Sequence, residues 1–477
     1  MGCINSKKQP KKRQLPVTPN YFEEFNCLPA VKLNSEEFLD VYRIGNRVGV
    51  GSFSEVRRCT HKISEQMRAV KIFKVSELKA KQSFQNEVWV HKTLDHPNKV
   101  KAFEYFDEEQ FQHIVLEFCK GGKLLSQLKT LQSLSEKRIA QVMKQLFSVV
   151  ACMHEKGIAH RNIKLESILL EERDAYFLKL SNFKNAVSFK NQKLKEIVGS
   201  SYYIAPEVLD SNYTEKCDIW SCAVILHILL LGIPPVKGKT DEEILTNIKN
   251  YKFQPCENFE TLSFEAQSLL KNTLCEESKR LSASQVLSHP WIYFSNAANP
   301  ENPSKLSVLN KLKNFKRTLK LRDSIKEFIL NQLVQTEETK GLRNVFLCMD
   351  KDYDGKISKE DLEKYLSENI NSEIASKEAS QIIQQVDLDR NGCIDYSEYL
   401  RATIDPSIVL SRHNLLIAFE MFDKDGDGCI TPSEFMEVLS EKTSDLKLWS
   451  KLINEADLNQ DGVVDLKEFT ELLLARL

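Results

Sequence analysis

The sequence predicts an α+β domain followed by an all-α domain, and three observations carry that reading. Strand-like segments, Tyr42 to Val48 and Glu55 to Thr60, enclose a glycine-rich turn, and a helical stretch follows. Further on, lysines interleave with apolar residues at helical spacing. Beyond that, an aspartate-rich pattern recurs four times at intervals of about 35 residues, the mark of an internal repeat. The length of 477 residues suits about three domains. With 42% hydrophobic and 28% charged residues the chain can bury a sizeable core. A formal net charge of -1 gives no global field for nucleic acid, and no nucleic-acid partner is expected. The twelve cysteines include no C-x-x-C pair and no secretory h-region opens the chain, so reduced cytosolic thiols are expected. The apolar run Cys222 to Leu231 is too short to span a bilayer and reads as a buried helix.

Residues 1–41 read as a basic extension. Met1-Gly2-Cys3-Ile4-Asn5-Ser6 fits the pattern for N-myristoylation of Gly2, and the adjacent Cys3 is a candidate for palmitoylation. One myristoyl chain binds membranes only marginally, so a stable anchor needs a second signal. Cys3 offers one, and the cluster Lys7, Lys8, Lys11, Lys12 and Arg13 another. The expectation is a reversible anchor at the cytoplasmic face of a membrane, with part of the protein cytosolic.

Residues 42–292 carry an ordered set of motifs. The glycine turn reads Gly49-Val50-Gly51-Ser52-Phe53-Ser54-Glu55-Val56, then come Ala69-Val70-Lys71 and Glu87. His160-Arg161-Asn162, Ala205-Pro206-Glu207, Asp218-Ile219-Trp220-Ser221, Arg280 and His289-Pro290-Trp291 follow. In this order they resemble the protein-kinase signature, which implies the two-lobed protein-kinase fold. The resemblance implies a nucleotide site in which Val48, Gly49, Gly51 and Ser52 cover the phosphates. Val56, Ala69 and Leu169 would enclose adenine beside a hinge, Leu116 to Cys119, that includes Glu117. Lys71 would contact phosphates and pair with Glu87, and Glu207 with Arg280 would brace the C-lobe.

The chemical positions depart from that family. Where it reads H-R-D-L-K-P-E-N, this chain reads His160-Arg161-Asn162-Ile163-Lys164-Leu165-Glu166-Ser167. The lysine is kept as Lys164. The proton acceptor is Asn162, and the asparagine that ligates a second Mg²⁺ is Ser167. The family's D-F-G is Asn182-Phe183-Lys184, so a metal-binding carboxylate has become an amide. Lys123 stands where these kinases usually carry a substrate-reading glutamate. A general base contributes about 10²- to 10⁴-fold in rate. Phosphoryl transfer depends chiefly on metal electrostatics, and Mg²⁺ needs hard anionic oxygen. Little or no transfer is therefore expected. ATP fits the remaining half of the site, and Mg²⁺ binding is in doubt.

Residues 293–335 read as a linker and a basic amphipathic junction helix. Leu306, Leu309, Leu312, Phe315, Leu319, Ile325 and Phe328 recur at helical spacing. Lys305, Lys311, Lys313, Lys316, Arg317, Lys320, Arg322 and Lys326 interleave with them. Such a helix suits the grip of a calmodulin-like lobe or packing on the kinase lobe.

Residues 336–477 hold four loops of the form D-x-[DN]-x-[DN]-G with an acid at the twelfth position, the EF-hand Ca²⁺ pattern. The expected ligands are Asp350, Asp352, Asp354, the Lys356 carbonyl and Asp361; then Asp387, Asp389, Asn391, the Cys393 carbonyl and Glu398. The third loop offers Asp423, Asp425, Asp427, the Cys429 carbonyl and Glu434; the fourth Asp457, Asn459, Asp461, the Val463 carbonyl and Glu468. Up to four Ca²⁺ ions are expected. Asp361 has a shorter reach than glutamate, which weakens Ca²⁺ or favours Mg²⁺ at the first loop.

The whole order resembles the calcium-dependent protein kinases, in a form with degenerate catalytic motifs. The resemblance implies that loaded hands draw the junction helix off the kinase lobe. The leading expectation is a membrane-anchored Ca²⁺ sensor that acts by Ca²⁺-switched binding of client proteins. One rival is an active Ca²⁺-dependent Ser/Thr phosphotransferase that recruits Mg²⁺ through the ATP phosphates, aided by Glu166. A tethered Ca²⁺ buffer is another.

Overall fold

The computed structural model describes residues 31–128, 134–173, 176–190, 192–254, 256–293, 305–315, 321–334, 337–368, 370–439, 446–454 and 456–474. The expected lipidation positions Gly2 and Cys3, the basic cluster after them, and Lys316, Arg317, Leu319 and Lys320 lie outside these residues.

The predicted two-lobed fold and helical tail are both present. Six strands form the N-lobe sheet: β1 (Lys32–Leu33), β2 (Tyr42–Val50), β3 (Ser54–His61), β4 (Met67–Lys74), β5 (Ala102–Asp107) and β6 (Phe111–Glu117), in spatial order β1-β5-β6-β4-β3-β2. Pairing is antiparallel except between β1 and β5. The β2–β3 hairpin closes when the Gly51 N–H donates to the Ser54 carbonyl at 2.7 Å. Lys71 sits in mid-strand on β4, opposite Val56 on one side and Ile114 on the other. The helix Leu78–Thr93 buries Ala80, Phe84 and Val90, which leaves Glu87, on the same face, buried as well.

The C-lobe is built on two helices. Glu136–Glu155 is amphipathic and capped by Ser135, whose side chain accepts from the Arg138 N–H. Lys216–Leu231 is apolar nearly all round and correspondingly buried, and it ends at Gly232 in the left-handed conformation (φ 79°).

In the tail, the loops couple in pairs through short backbone bridges. Ile357 pairs with Ile394, and the short strand Cys429–Ile430 pairs with Val464–Asp465. Among the described residues the junction carries the helices Lys305–Asn314 and Leu321–Gln332. Val308, Leu309, Leu312, Leu321, Ile325 and Ile329 belong to the same apolar core as Phe346, Tyr399, Phe422, Phe435 and Phe469 of the EF-hands. The tail rests against the edge of the kinase domain. Arg343 makes a bidentate contact with Glu171 (2.9 and 2.7 Å), Lys356 reaches Glu155 at 3.0 Å, and Lys101 Nζ donates to the Asn331 carbonyl at 2.7 Å. Among the described residues, no helix is long and apolar enough to cross a membrane.

Candidate functional site

The cleft between the lobes is assembled from β3, β4, the Leu78–Thr93 helix and the catalytic loop. Val56 and Leu169 pack on the cluster that contains Ala69 and Leu116, giving an apolar slot of the kind that takes an adenine ring. Val48 is not part of that cluster and stays exposed at the rim. The Glu117 carboxylate does not line the slot, since it accepts from the Lys101 N–H at 2.6 Å and from Lys179 at 3.0 Å.

Lys71 and Glu87 form a buried ion pair, and Lys71 Nζ also donates to Asn182 Oδ1 at 3.2 Å. Asn182 is left-handed (φ 70°), a conformation asparagine tolerates better than most residues. Phe183 is fully buried, with ring centroids 5.3 Å from His91 and 5.4 Å from His160. Asp218 holds the catalytic loop by accepting from the backbone N–H of His160 (2.8 Å) and Arg161 (2.7 Å). Arg161 in turn pairs with Glu196 at 3.1 Å and donates to the Asn185 carbonyl at 2.8 Å.

The positions that would hold magnesium are otherwise engaged. Ser167 is buried, and its hydroxyl donates to the Lys164 carbonyl (2.8 Å) and accepts from the Lys164 N–H (3.0 Å). Asn182 Oδ1 faces the Lys71 ammonium. Asn162 Oδ1 accepts from Ser200 Oγ at 3.3 Å, and Lys164 Nζ donates to the same hydroxyl at 3.0 Å. Among the described residues, groups of three metal-ligating side chains occur in the EF-hand loops and none in the cleft. The cleft thus offers an apolar slot beside the Lys71 ammonium, and the positions matching the family's magnesium ligands carry an amide and a hydroxyl, both engaged with other groups. Glu166 lies near Tyr203, where burial and then the Glu166 charge push the phenol up to about 12.

Lys184 occupies the cleft roof. Its ammonium donates to Ser52 Oγ of the glycine loop at 3.2 Å, and its carbonyl accepts from Asn86 Nδ2 at 2.9 Å. Burial, reinforced by the charges of Lys71 and Lys164, holds its pKa below the usual lysine range.

The calcium loops share one local geometry. The N–H of each central glycine donates to the first aspartate: Gly355 to Asp350 (3.0 Å), Gly392 to Asp387 (2.8 Å), Gly428 to Asp423 (3.0 Å) and Gly462 to Asp457 (2.9 Å). The carboxylates of Asp387, Asp389 and Glu398 converge, as do those of Asp423, Asp425 and Glu434. In the first loop the converging set is Asp350, Asp352 and Asp354. Asp361, which is not in it, accepts from the Lys351 and Ser358 N–H groups. In the fourth loop Asn459 and Asp461 hydrogen-bond across the mouth (2.9 Å), and Glu468 accepts from the Leu458 N–H (2.9 Å). Burial and the neighbouring carboxylates push Asp350 well above the usual range. These donor sets fit Ca²⁺, an ion that takes hard oxygen ligands in flexible geometry.

The protein kinase domain family matches residues 42–292, and the EF-hand domain pair matches residues 339–404 and 413–474. Calcium-dependent protein kinase 4 of Plasmodium berghei (strain Anka) is 34% identical over 484 residues, covering 96% of this chain and 91% of the relative. The chain belongs to the calcium-dependent protein kinase family. Calcium-dependent protein kinase 19 of Arabidopsis thaliana is also 34% identical, over 451 residues that cover 92% of this chain and 81% of the relative. The EF-hand pairs mark this family member as a Ca²⁺-binding protein. Sequence reasoning missed Ser200, Asn86 and the Glu171–Arg343 contact. Each partnership joins residues far apart in the chain, and no local spacing signals it.

Proposed function

We propose that this calcium-dependent protein kinase family member is a membrane-anchored Ca²⁺ sensor that binds client proteins under Ca²⁺ control and transfers little or no phosphate. The observation that carries the proposal is the fate of the metal positions, with Ser167 closed on Lys164 and Asn182 turned to Lys71. Without an anionic ligand for Mg²⁺ and without a basic group at Asn162, neither the developing phosphate charge nor the incoming hydroxyl is served. The Gly2-Cys3 start and the basic cluster support anchoring. The apolar core that the junction helices share with the EF-hands supports a switch, since an EF-hand lobe that opens on Ca²⁺ grips such a helix. The exposed kinase faces, delivered at a membrane, would be the output.

A second reading, an active Ca²⁺-dependent Ser/Thr phosphotransferase, is favoured by the intact Lys71–Glu87 pair. One assay separates the two. Purified full-length protein is given ATP, Mg²⁺ and Ca²⁺ with a protein substrate, and the expected phosphate incorporation equals that of Lys71→Met. Robust turnover that Lys71→Met abolishes would establish the enzyme instead. Anchoring is checked by flotation of the N-myristoylated protein with anionic vesicles, and Gly2→Ala should remove it from the membrane fraction.

A further inference from the structure

Among the described residues the cleft gathers no group of three metal-ligating side chains, yet it is rich in cations. Lys71 stands at its back, bonded to Glu87 and 3.2 Å from Asn182 Oδ1. Lys164 stands at its floor, 3.0 Å from Ser200 Oγ. Lys184 stands at its roof, 3.2 Å from Ser52 Oγ and 5.7 Å from the centre of the Phe53 ring. Its main chain is fixed from the side by Asn86, one residue before Glu87 on the Leu78–Thr93 helix. The three ammonium groups lie close enough that the charges of Lys71 and Lys164 depress the pKa of Lys184. Glu87, bound to Lys71, is the carboxylate among these contacts.

We propose that Lys184 acts as a built-in counter-ion for the terminal phosphates of a nucleoside triphosphate, so that the cleft takes the metal-free nucleotide in preference to its Mg²⁺ complex. This rests on the reading that the protein supplies no ligand for Mg²⁺. A metal-free triphosphate carries its full negative charge and presents several acceptor oxygens. Ammonium groups meet both needs, because they bring positive charge and donate hydrogen bonds. A divalent ion placed among the same lysines would be repelled, and Glu87, the carboxylate among these contacts, is already bound to Lys71. Ser52, which now accepts from Lys184, sits on the loop that the family resemblance lays over the phosphates. The lysine therefore has only to exchange one acceptor for another.

The test uses full-length protein with free Ca²⁺ buffered by EGTA at about 10⁻⁵ M, the upper end of the sensor range. ATP and adenosine are titrated by calorimetry with and without excess Mg²⁺. ATP should bind more tightly without Mg²⁺. Lys184→Gly should weaken metal-free ATP by about tenfold or more, the scale of one charge-assisted hydrogen bond, and leave adenosine unchanged. Lys184→Arg, which keeps the charge, should retain metal-free binding, and unchanged adenosine affinity shows that the variants are folded. The proposal is overturned if ATP fails to bind, if binding requires Mg²⁺, or if Lys184→Gly binds metal-free ATP as well as or better than the natural protein. In the last case Lys184 would be a latch on the glycine loop. None of these outcomes depends on turnover, which tests the loss of catalysis separately.

Discussion

At Asn182 the electrostatics of the cleft turn on one functional group. The amide accepts from Lys71 as an aspartate would, but it brings no charge with which to hold a metal. Asn182→Asp should therefore make ATP binding favour Mg²⁺, reversing the preference of the natural protein. Phosphate transfer should rise only when Asn162→Asp is added, by about 10²- to 10⁴-fold over the single variant, as expected for a general base. Radiolabel transfer by the single and double variants checks this, and equal rates would remove Asn162 from the account. Arg280 gives a structural counterpart. It is buried, forms a two-pronged ion pair with Glu207, and donates to the carbonyls of Lys216 (2.9 Å) and Cys275 (2.8 Å). Removing one partner of a buried pair strands the other, so Arg280→Ala should cost about 3–5 kcal/mol of C-lobe stability in denaturant unfolding. Lys71, Glu87, Asn162 and Asn182 could be placed from the sequence because motif order locates them. The self-closure of Ser167 and the reach of Lys184 to Ser52, 132 positions away, could not, since both depend on how side chains turn in the folded loop.

The junction shows how far periodicity carries an element. Helical spacing identified an amphipathic segment, and Leu312 and Ile325 are fully buried as that spacing implies, while Ile329, which the pattern did not single out, is buried more completely than its neighbour Phe328. Spacing did not reveal which partner covers the segment, because an apolar stripe fits any complementary groove. Here the EF-hands cover it, with the Phe328 and Phe422 ring centroids 4.9 Å apart. Ile325→Ala with Ile329→Ala should leave cavities costing about 2–5 kcal/mol each. The proposed switch links grip to Ca²⁺ loading, so the double variant should bind Ca²⁺ more weakly and lose amide-exchange protection across 321–334. Unchanged Ca²⁺ affinity would uncouple the helix from the sensor. The first loop extends the argument. Asp361 stays outside the converging carboxylates, whereas Glu398 and Glu434 lie within theirs. Asp361→Glu should raise the affinity of that site for Ca²⁺ and sharpen the calorimetric titration. No change would show that its packing on the kinase domain, through Lys356 and Glu155, governs the site instead.

Across the whole molecule, the two domains meet through pairings that neither domain's pattern encodes. Glu171 and Arg343 are 172 positions apart, and a scan of local motifs sees only two ordinary charged residues. Folded, Arg343 stacks 3.6 Å from the centre of the Phe177 ring and clamps the Glu171 carboxylate. Burial would raise the pKa of Glu171, but the hydrogen bonds and charge of Arg343 outweigh it and hold the carboxyl below the usual range. An acid whose folded pKa is depressed stabilises the docked state at pH values above its free range, near 4.3, and that contribution fades as pH falls through the folded value. Docking by this pair is thus fully present at neutral pH. Arg343→Ala removes the hydrogen bonds and the strongest opposing charge and leaves those of Lys179 and Lys340 against burial, so the Glu171 pKa in the variant should move upward from its natural value. The stabilisation that the ionised carboxylate lends to docking then shrinks, and the pH dependence of docking should flatten. Small-angle scattering of the Ca²⁺-loaded protein reads both effects, since parting of the domains increases the radius of gyration. The natural protein should hold its radius from neutral pH down toward the acid range, while Arg343→Ala should be expanded already at neutral pH. A radius that is the same in both proteins at every pH would show that apolar packing, and not this ion pair, holds the sensor against the kinase domain.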